Sequence, residues 1–246
     1  MDLTVLAVGG FAFLCGGLIK GVVGMGLPLT SVALMSQFID LRIAVPLLVI
    51  PILVTNALQA IRGHKLVSLL REYWTLIATA CAFTFIGVYL LYNINSKHIL
   101  LVLGTVITLY GLFNLFAIRV TVSEKHKPWL SPLTGLAAGL MAGMTGVIAI
   151  PTMMYFQALK LPKDIFVQAL GITFFVAGTF LMIALWLEGG LNLRNIHVSA
   201  LAMVPAVFGM YVGEKIRKKI SEEKFRTWVF IFLCLIGLNL VRKSLY

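Results

Sequence analysis

The chain has 246 residues, a mean hydropathy of +1.00, 60% hydrophobic residues and only 12% charged ones. A soluble domain is roughly a quarter charged, a 27.0 kDa globule has too little interior to hide this much apolar side chain, and disordered chains are poor in such residues. What remains is an all-α polytopic membrane protein, and the net charge of +11 must be read from where the charges sit.

The chain begins Met1-Asp2-Leu3, acidic rather than basic, and enters an apolar run with no small-residue cleavage pattern before Lys20. A retained span is expected here, not a signal peptide. The stretch Leu3–Phe38 is too long for one straight span and is interrupted by Gly16, Gly17, Gly21, Gly24, Gly26 and Pro28. Three single-crossing windows follow, Leu41–Ile61, Trp74–Tyr92 and Ile99–Ile118. A helix rises 1.5 Å per residue through about 30 Å of hydrocarbon, so about twenty residues suffice. The second long stretch, Leu130–Leu159, is broken by Gly135, Gly139, Gly143, Gly146 and Pro151. Three more windows close the chain, Ile165–Leu187, Ile196–Val212 and Trp228–Val241. Each Gly/Pro-rich stretch is expected to be a helical hairpin, a pair of short helices or a discontinuous helix. Cys15, Cys81 and Cys234 lie far apart in apolar sequence with no CxxC spacing, so they read as small buried residues.

Fourteen Lys/Arg lie in the segments Arg62–Glu72, Arg119–Lys127, Lys160–Asp164 and Glu214–Arg226, and five lie in the opposing segments. This split requires each Gly/Pro-rich stretch to return to the side it started from, and the positive-inside rule then puts both termini outside the cytoplasm of an inner-membrane protein. Trp74, Trp129, Trp186 and Trp228 all fall at window ends, as an aromatic belt requires. The basic surplus is thus a topology signal, and no nucleic-acid partner is implied.

An internal repeat is visible at an offset of 122 residues: Gly17, Gly21, Gly24 and Pro28 match Gly139, Gly143, Gly146 and, one residue further on, Pro151. Gly87-Val88-Tyr89 matches Gly209-Met210-Tyr211 and, after four inserted residues, Gly111-Leu112 matches Gly237-Leu238. Equivalent loops have opposite charge bias, so the halves should have opposite orientation. The expected fold is one integral membrane domain over residues 1–246: repeat 1 about 3–119, a cytoplasmic linker 120–129, and repeat 2 about 130–243. Each repeat is a broken Gly/Pro-rich hairpin plus three transmembrane helices in inverted topology, an architecture that places a substrate site between the halves at the broken helices.

GxxxGxxG puts small residues on one helix face and lets backbones approach closely, which is one reading of both glycine segments. The other is that the breaks around Gly24, Gly26 and Pro28 and around Gly146 and Pro151 free backbone N–H groups at a new helix N-terminus, which attracts anions. Lys20 is the only charge between Met1-Asp2 and Asp40. It is either the cation that neutralises an anionic substrate or an anchor snorkelling to the interface. Asn56, Gln59, Thr145, Gln168 and Thr173 are neutral polar groups at depth, suited to binding oxyanions or to tying helices together. Every Asp, Glu and His lies at a window end or in a loop, and no carboxylate dyad, metal cluster, GxSxG or Walker loop occurs. No enzyme and no cofactor are implied. An anion leaving an inside-negative cell gains about 2.3 kcal/mol per charge per 100 mV, so export needs no proton relay.

The segments Gly16-Gly17-Leu18-Ile19-Lys20-Gly21-Val22-Val23-Gly24-Met25-Gly26-Leu27-Pro28, Gly139-Leu140-Met141-Ala142-Gly143-Met144-Thr145-Gly146 and Tyr155–Asp164 resemble the TauE/SafE family of sulfite exporters. The likeness extends over nearly the whole chain. It implies export of sulfite, sulfoacetate or a related sulfur-containing anion by a protein with two membrane repeats. The family's triple-glycine form is replaced here by Met25-Gly26-Leu27 and Val147-Ile148-Ala149. The expected function is secondary export of a small anion held by Lys20, Gly21, Gly24, Gly26, Pro28, Asn56, Gln59, Gly143, Thr145, Gly146, Pro151, Gln168 and Thr173. An uncoupled small-anion channel and a non-transporting membrane assembly subunit are the alternatives. The partners implied are the small anion and the lipid bilayer.

Overall fold

The computed structural model describes residues 3–23, 26–61, 63–116, 121–217 and 222–245. Among them are twelve α-helices and no strand: α1 (Leu3–Val23), α2 (Leu27–Met35), α3 (Leu41–Ile61), α4 (Leu66–Glu72), α5 (Trp74–Asn93), α6 (Ser96–Leu115), α7 (Lys127–Thr145), α8 (Ala149–Ala158), α9 (Lys163–Leu187), α10 (Leu193–Leu201), α11 (Met203–Arg217) and α12 (Glu222–Leu245). Seven stretches of the described residues are long and apolar enough to cross a membrane. Six coincide with the expected windows to within a few residues, and the seventh is Thr4–Val23. Each Gly/Pro-rich stretch is a long helix followed by a short one: α1 then α2, and α7 then α8.

The chain divides into two compact units, each drawing helices from both halves of the sequence. The first comprises Met1–Pro51, Ile94–Ile118 and Leu193–Tyr246; the second comprises Ile52–Asn93 and Arg119–Asn192. The boundary falls inside α3, immediately after Pro51.

In the first unit α1 lies parallel against α11, and glycine makes the approach possible. A Cβ on Gly17 would overlap the carbonyl of Ala206, one on Gly21 the carbonyl of Met210, one on Gly209 the carbonyl of Leu14 and one on Gly213 the carbonyl of Leu18. Backbone meets backbone, which is what small residues at helix interfaces permit in a bilayer. The short α2 turns back along α1, because Ser31 Oγ donates to the carbonyl of Ala12 at 3.1 Å and Gly16 faces Leu27 and Ser31. The end of α2 is tied down by Lys243 of α12, whose ammonium donates to the carbonyls of Ser36 (3.3 Å) and Gln37 (2.9 Å). Helices α6 and α12 pack antiparallel. Gly104 faces Gly237 and Leu240, Gly111 faces Phe230 and Cys234, and Gly237 faces Gly104 and Thr108, so positions advance along one helix as they recede along the other.

Proline sets two local features of this unit. The window Ile196–Val212, expected as uninterrupted, is divided into α10 and α11 by a single turn residue, Ala202. Pro205 has no N–H to donate to the carbonyl of Leu201, so the ladder fails there. In α3, Pro51 likewise leaves the carbonyl of Leu47 without its helical donor. Ser199 of α10 fills the gap: its hydroxyl donates to Leu47 O at 2.8 Å and accepts from the Ile50 N–H at 3.0 Å. Ser199→Ala should therefore strand a carbonyl and an amide together and cost about 1–3 kcal/mol. A thermal melt of the purified full chain checks this, and an unchanged midpoint would show that water or lipid satisfies both groups.

The second unit repeats the glycine contact between α5 and α7, again parallel. A Cβ on Gly135 would overlap Leu76 O, one on Gly139 Ala80 O, one on Gly143 Thr84 O and one on Gly87 Leu140 O. The mutual pairs are Gly87–Gly143 here and Gly21–Gly213 in the first unit. Gly87 therefore corresponds in packing to Gly213, four residues beyond the Gly209 that the sequence spacing matched to it. Gly171 and Gly178 of α9 admit Gln59 and Ile52 of α3. At the start of α7 the ammonium of Lys127 bonds Glu72 Oε1 at 2.8 Å and lies 3.4 Å from Glu124 Oε2. Partial burial alone would push the Glu72 carboxyl up, but its bond to Lys127 prevails and holds it below the usual carboxylate range.

Candidate functional site

The first break is built from the end of α1 and the start of α2. Gly26 is the N-cap of α2 with φ 103°, a left-handed conformation that costs glycine nothing and an L-residue roughly 1–2 kcal/mol. The Thr30 N–H returns to Gly26 O at 2.9 Å. Ahead of it the amides of Leu27 and Leu29 have no acceptor among the described residues, as the first turn of a helix dictates, and Pro28 has no N–H. A Cβ on Gly26 would lie 3.4 Å from Ile19 Cγ2 and 4.0 Å from Thr30 Oγ1, so the last turn of α1 and the first turn of α2 flank the cap.

Lys20 sits in that last turn of α1, 6% exposed, with no hydrogen bond or ion pair among the described residues. An unpaired ammonium removed from water is costly, and such residues inside membrane proteins mark ligand or ion paths. Thr30 is 0% exposed, and its hydroxyl has no partner among the described residues. Lys20 on α1, and the Thr30 hydroxyl and the Leu27 and Leu29 amides on α2, are thus donors on the two helices that meet at this break, with no acceptor found for them among the described residues.

Of the other residues expected here, Gly21 faces the backbone of α11 and serves the helix contact. Gly24 lies outside the described residues. Pro28 occupies the second position of α2, where its missing N–H is least costly.

The second break has a different local chemistry. Gly146, φ 73°, caps α7 by donating its N–H to Ala142 O at 2.8 Å. Thr145 Oγ1 donates to Met141 O at 2.6 Å and accepts from the Val147 N–H at 3.3 Å. Thr152, in the first turn of α8 with Pro151, donates its hydroxyl to Ile148 O at 3.1 Å. Gly143 is occupied by its contact with Thr84, Gly87 and Val88. The position matching Lys20 is Ala142, so this break offers no cation, and its hydroxyl hydrogens are committed.

The remaining polar residues lie in the second unit on α3 and α9. Asn56 donates to Ile52 O at 2.8 Å and Thr173 to Ala169 O at 2.8 Å, both within their own helices. Gln168 Nε2 donates to Ala60 O at 3.0 Å, and its Oε1 accepts from the Lys65 N–H at 3.4 Å, closing the end of α3 onto the following loop. Gln59 packs against Gly171. No group of three or more His, Cys, Asp or Glu that could hold a metal occurs among the described residues.

A family model for the sulfite exporter TauE/SafE family matches residues 9–240. The chain belongs to the TauE/SafE family. No curated protein and no solved structure gives a match. Membership makes this a multi-pass membrane protein of a transporter family with a small anion as its substrate class. In this TauE/SafE chain the expected residues separate into two sets. Lys20, Gly21, Gly26 and Pro28 fall in the first unit, and Asn56, Gln59, Gly143, Thr145, Gly146, Pro151, Gln168 and Thr173 in the second. Thr30 was not among them, although one signal was present: Thr30 and Thr152 stand at the same 122-residue offset as the glycines.

Proposed function

We propose that this TauE/SafE protein exports a small sulfur-containing anion, sulfite or a sulfonate such as sulfoacetate, and binds it at the first broken segment. The observation that carries the reading is Lys20, a buried ammonium without a partner among the described residues, in the last turn of the helix that precedes the α2 N-terminus. Bound anion would supply the missing countercharge. The protein lies in the inner membrane with both termini on the non-cytoplasmic side, following its basic loops. Its two halves are inverted repeats. The antiparallel packing of α6 against α12, with Gly104, Thr108 and Gly111 matched by Phe230, Cys234 and Gly237 at one offset of 126, supports that relation. Parallel α1–α11 and α5–α7 pairs agree with it.

The test is thermal stabilisation of the purified chain by sulfite, sulfoacetate and small carboxylates, repeated on Lys20→Ala. Ligand present at about a hundred times its Kd stabilises the folded state by about 2.7 kcal/mol, enough to move a melt by several degrees. The expected result is a shift with the sulfur anions that Lys20→Ala abolishes. Equal shifts in both proteins would remove Lys20 from the site, and none in the wild type would remove the anion.

A further inference from the structure

We infer that Thr30 is the residue through which the first break recognises its ligand as an oxyanion, and that its counterpart Thr152 takes no part. This rests on the anion-binding reading above and assigns the site's neutral donor. Thr30 is the fourth residue of α2, and its Oγ1 stands 4.0 Å from where a Cβ of the N-cap Gly26 would be, so the hydroxyl lies beside the cap. It is completely buried and has no hydrogen-bond partner among the described residues. Threonine in a helix ordinarily sends its hydroxyl hydrogen back to the carbonyl four residues earlier, as Thr84, Thr108, Thr152 and Thr173 do here. Thr30 does not, although Gly26 O is within reach of its own amide. A buried hydroxyl without a partner is destabilising unless something absent from the protein alone accepts its hydrogen.

The acceptor is constrained by its neighbours. The Leu27 and Leu29 amides at the same helix end donate, and the segment itself carries no carboxylate between Met1-Asp2 and Asp40. An anionic oxygen meets these requirements: it is negative and has several lone pairs to share among the hydroxyl and the amides. Thr152 has the same sequence position in the second half, but its hydrogen is already given to Ile148 O, so the two threonines differ in function.

The experiment is calorimetric titration of sulfite, kept anaerobic, into the full chain in detergent, with Thr30→Val, Thr30→Ser and Thr152→Val in parallel. Thr30→Val keeps the shape and removes the donor. It should weaken sulfite about tenfold to a hundredfold, the value of one hydrogen bond to a charged group, while the ligand-free melt stays level or rises. Thr30→Ser should stay within about threefold of wild type and Thr152→Val should match it. Should Thr30→Val fail to fold, Thr30→Ala removes the same donor and is read the same way. Wild-type affinity in the donorless variant, or an equal loss in Thr152→Val, overturns the assignment of Thr30 while Lys20-dependent binding stands. Absence of sulfite, sulfoacetate and carboxylate binding by the wild type overturns both.

Discussion

Gly139→Ala should lower the stability of the purified chain by about 2–3 kcal/mol, and Gly139→Leu should prevent it from folding. The added Cβ would meet the carbonyl oxygen of Ala80 with the Ala80 carbonyl carbon and Cα just behind it, so no side-chain rotation can relieve the overlap. Moving α7 outward is no remedy, because Gly135, Gly143 and Gly87 hold the same two helices together above and below that level. In a bilayer the contact that would be lost is the main force between helices, since lipid solvates an apolar face as well as another helix does. Gly9→Ala is the control: nothing lies within 4 Å of its added Cβ, and the melt should shift by less than about 0.5 kcal/mol. Midpoints and the monodisperse fraction in detergent check both. A Gly139→Ala protein as stable as Gly9→Ala would mean that the two helices are not in backbone contact.

Lys20→Met should raise the stability of the ligand-free chain and abolish transport. Methionine follows the path of the lysine stem and fills the same buried space without a charge to desolvate. Replacing buried charge by apolar side chains of similar volume commonly stabilises by about 1–4 kcal/mol, and an ammonium with no partner among the described residues belongs at the upper end of that range. The anion, in turn, would lose its countercharge, and outward flux from proteoliposomes should fall at least about a hundredfold. Opposite signs for stability and flux are what distinguish a functional buried cation from an anchor. A lysine that merely snorkels would show little change in either quantity, and one needed for folding would lower both.

Much of the fold was legible because hydropathy and helix breaking are local. A run such as Leu41–Ile61 is long and apolar by itself, and the helix found there has the same bounds. Gly26 with Pro28, and Gly146 with Pro151, mark the two helix breaks, since a left-handed residue and a missing N–H need no distant partner. Legibility ended where helices meet. The matching of Gly87 to Gly209 followed spacing alone, whereas contact with Gly143 makes Gly213 its counterpart. The break at Ala202 leaves no mark in hydropathy, because Ile196–Val212 is apolar on both sides of it.

The candidate site divides along the same line. By itself the sequence determined that this is a membrane protein, that its basic residues gather in loops, that two segments are broken and that Lys20 stands alone among apolar residues. These follow from residue type and order. Only the tertiary structure decided which polar groups are still free to bind. Thr30 and Thr152 are the same residue at equivalent positions, yet one hydroxyl is unspent and the other is bonded to Ile148 O. Gln168, promising as a buried amide, is committed to Ala60 and Lys65. Gly21 and Gly143 turn toward neighbouring helices that lie far away in the chain. A hydrogen bond is fixed by a few tenths of an ångström and by direction, and both depend on what the fold brings alongside.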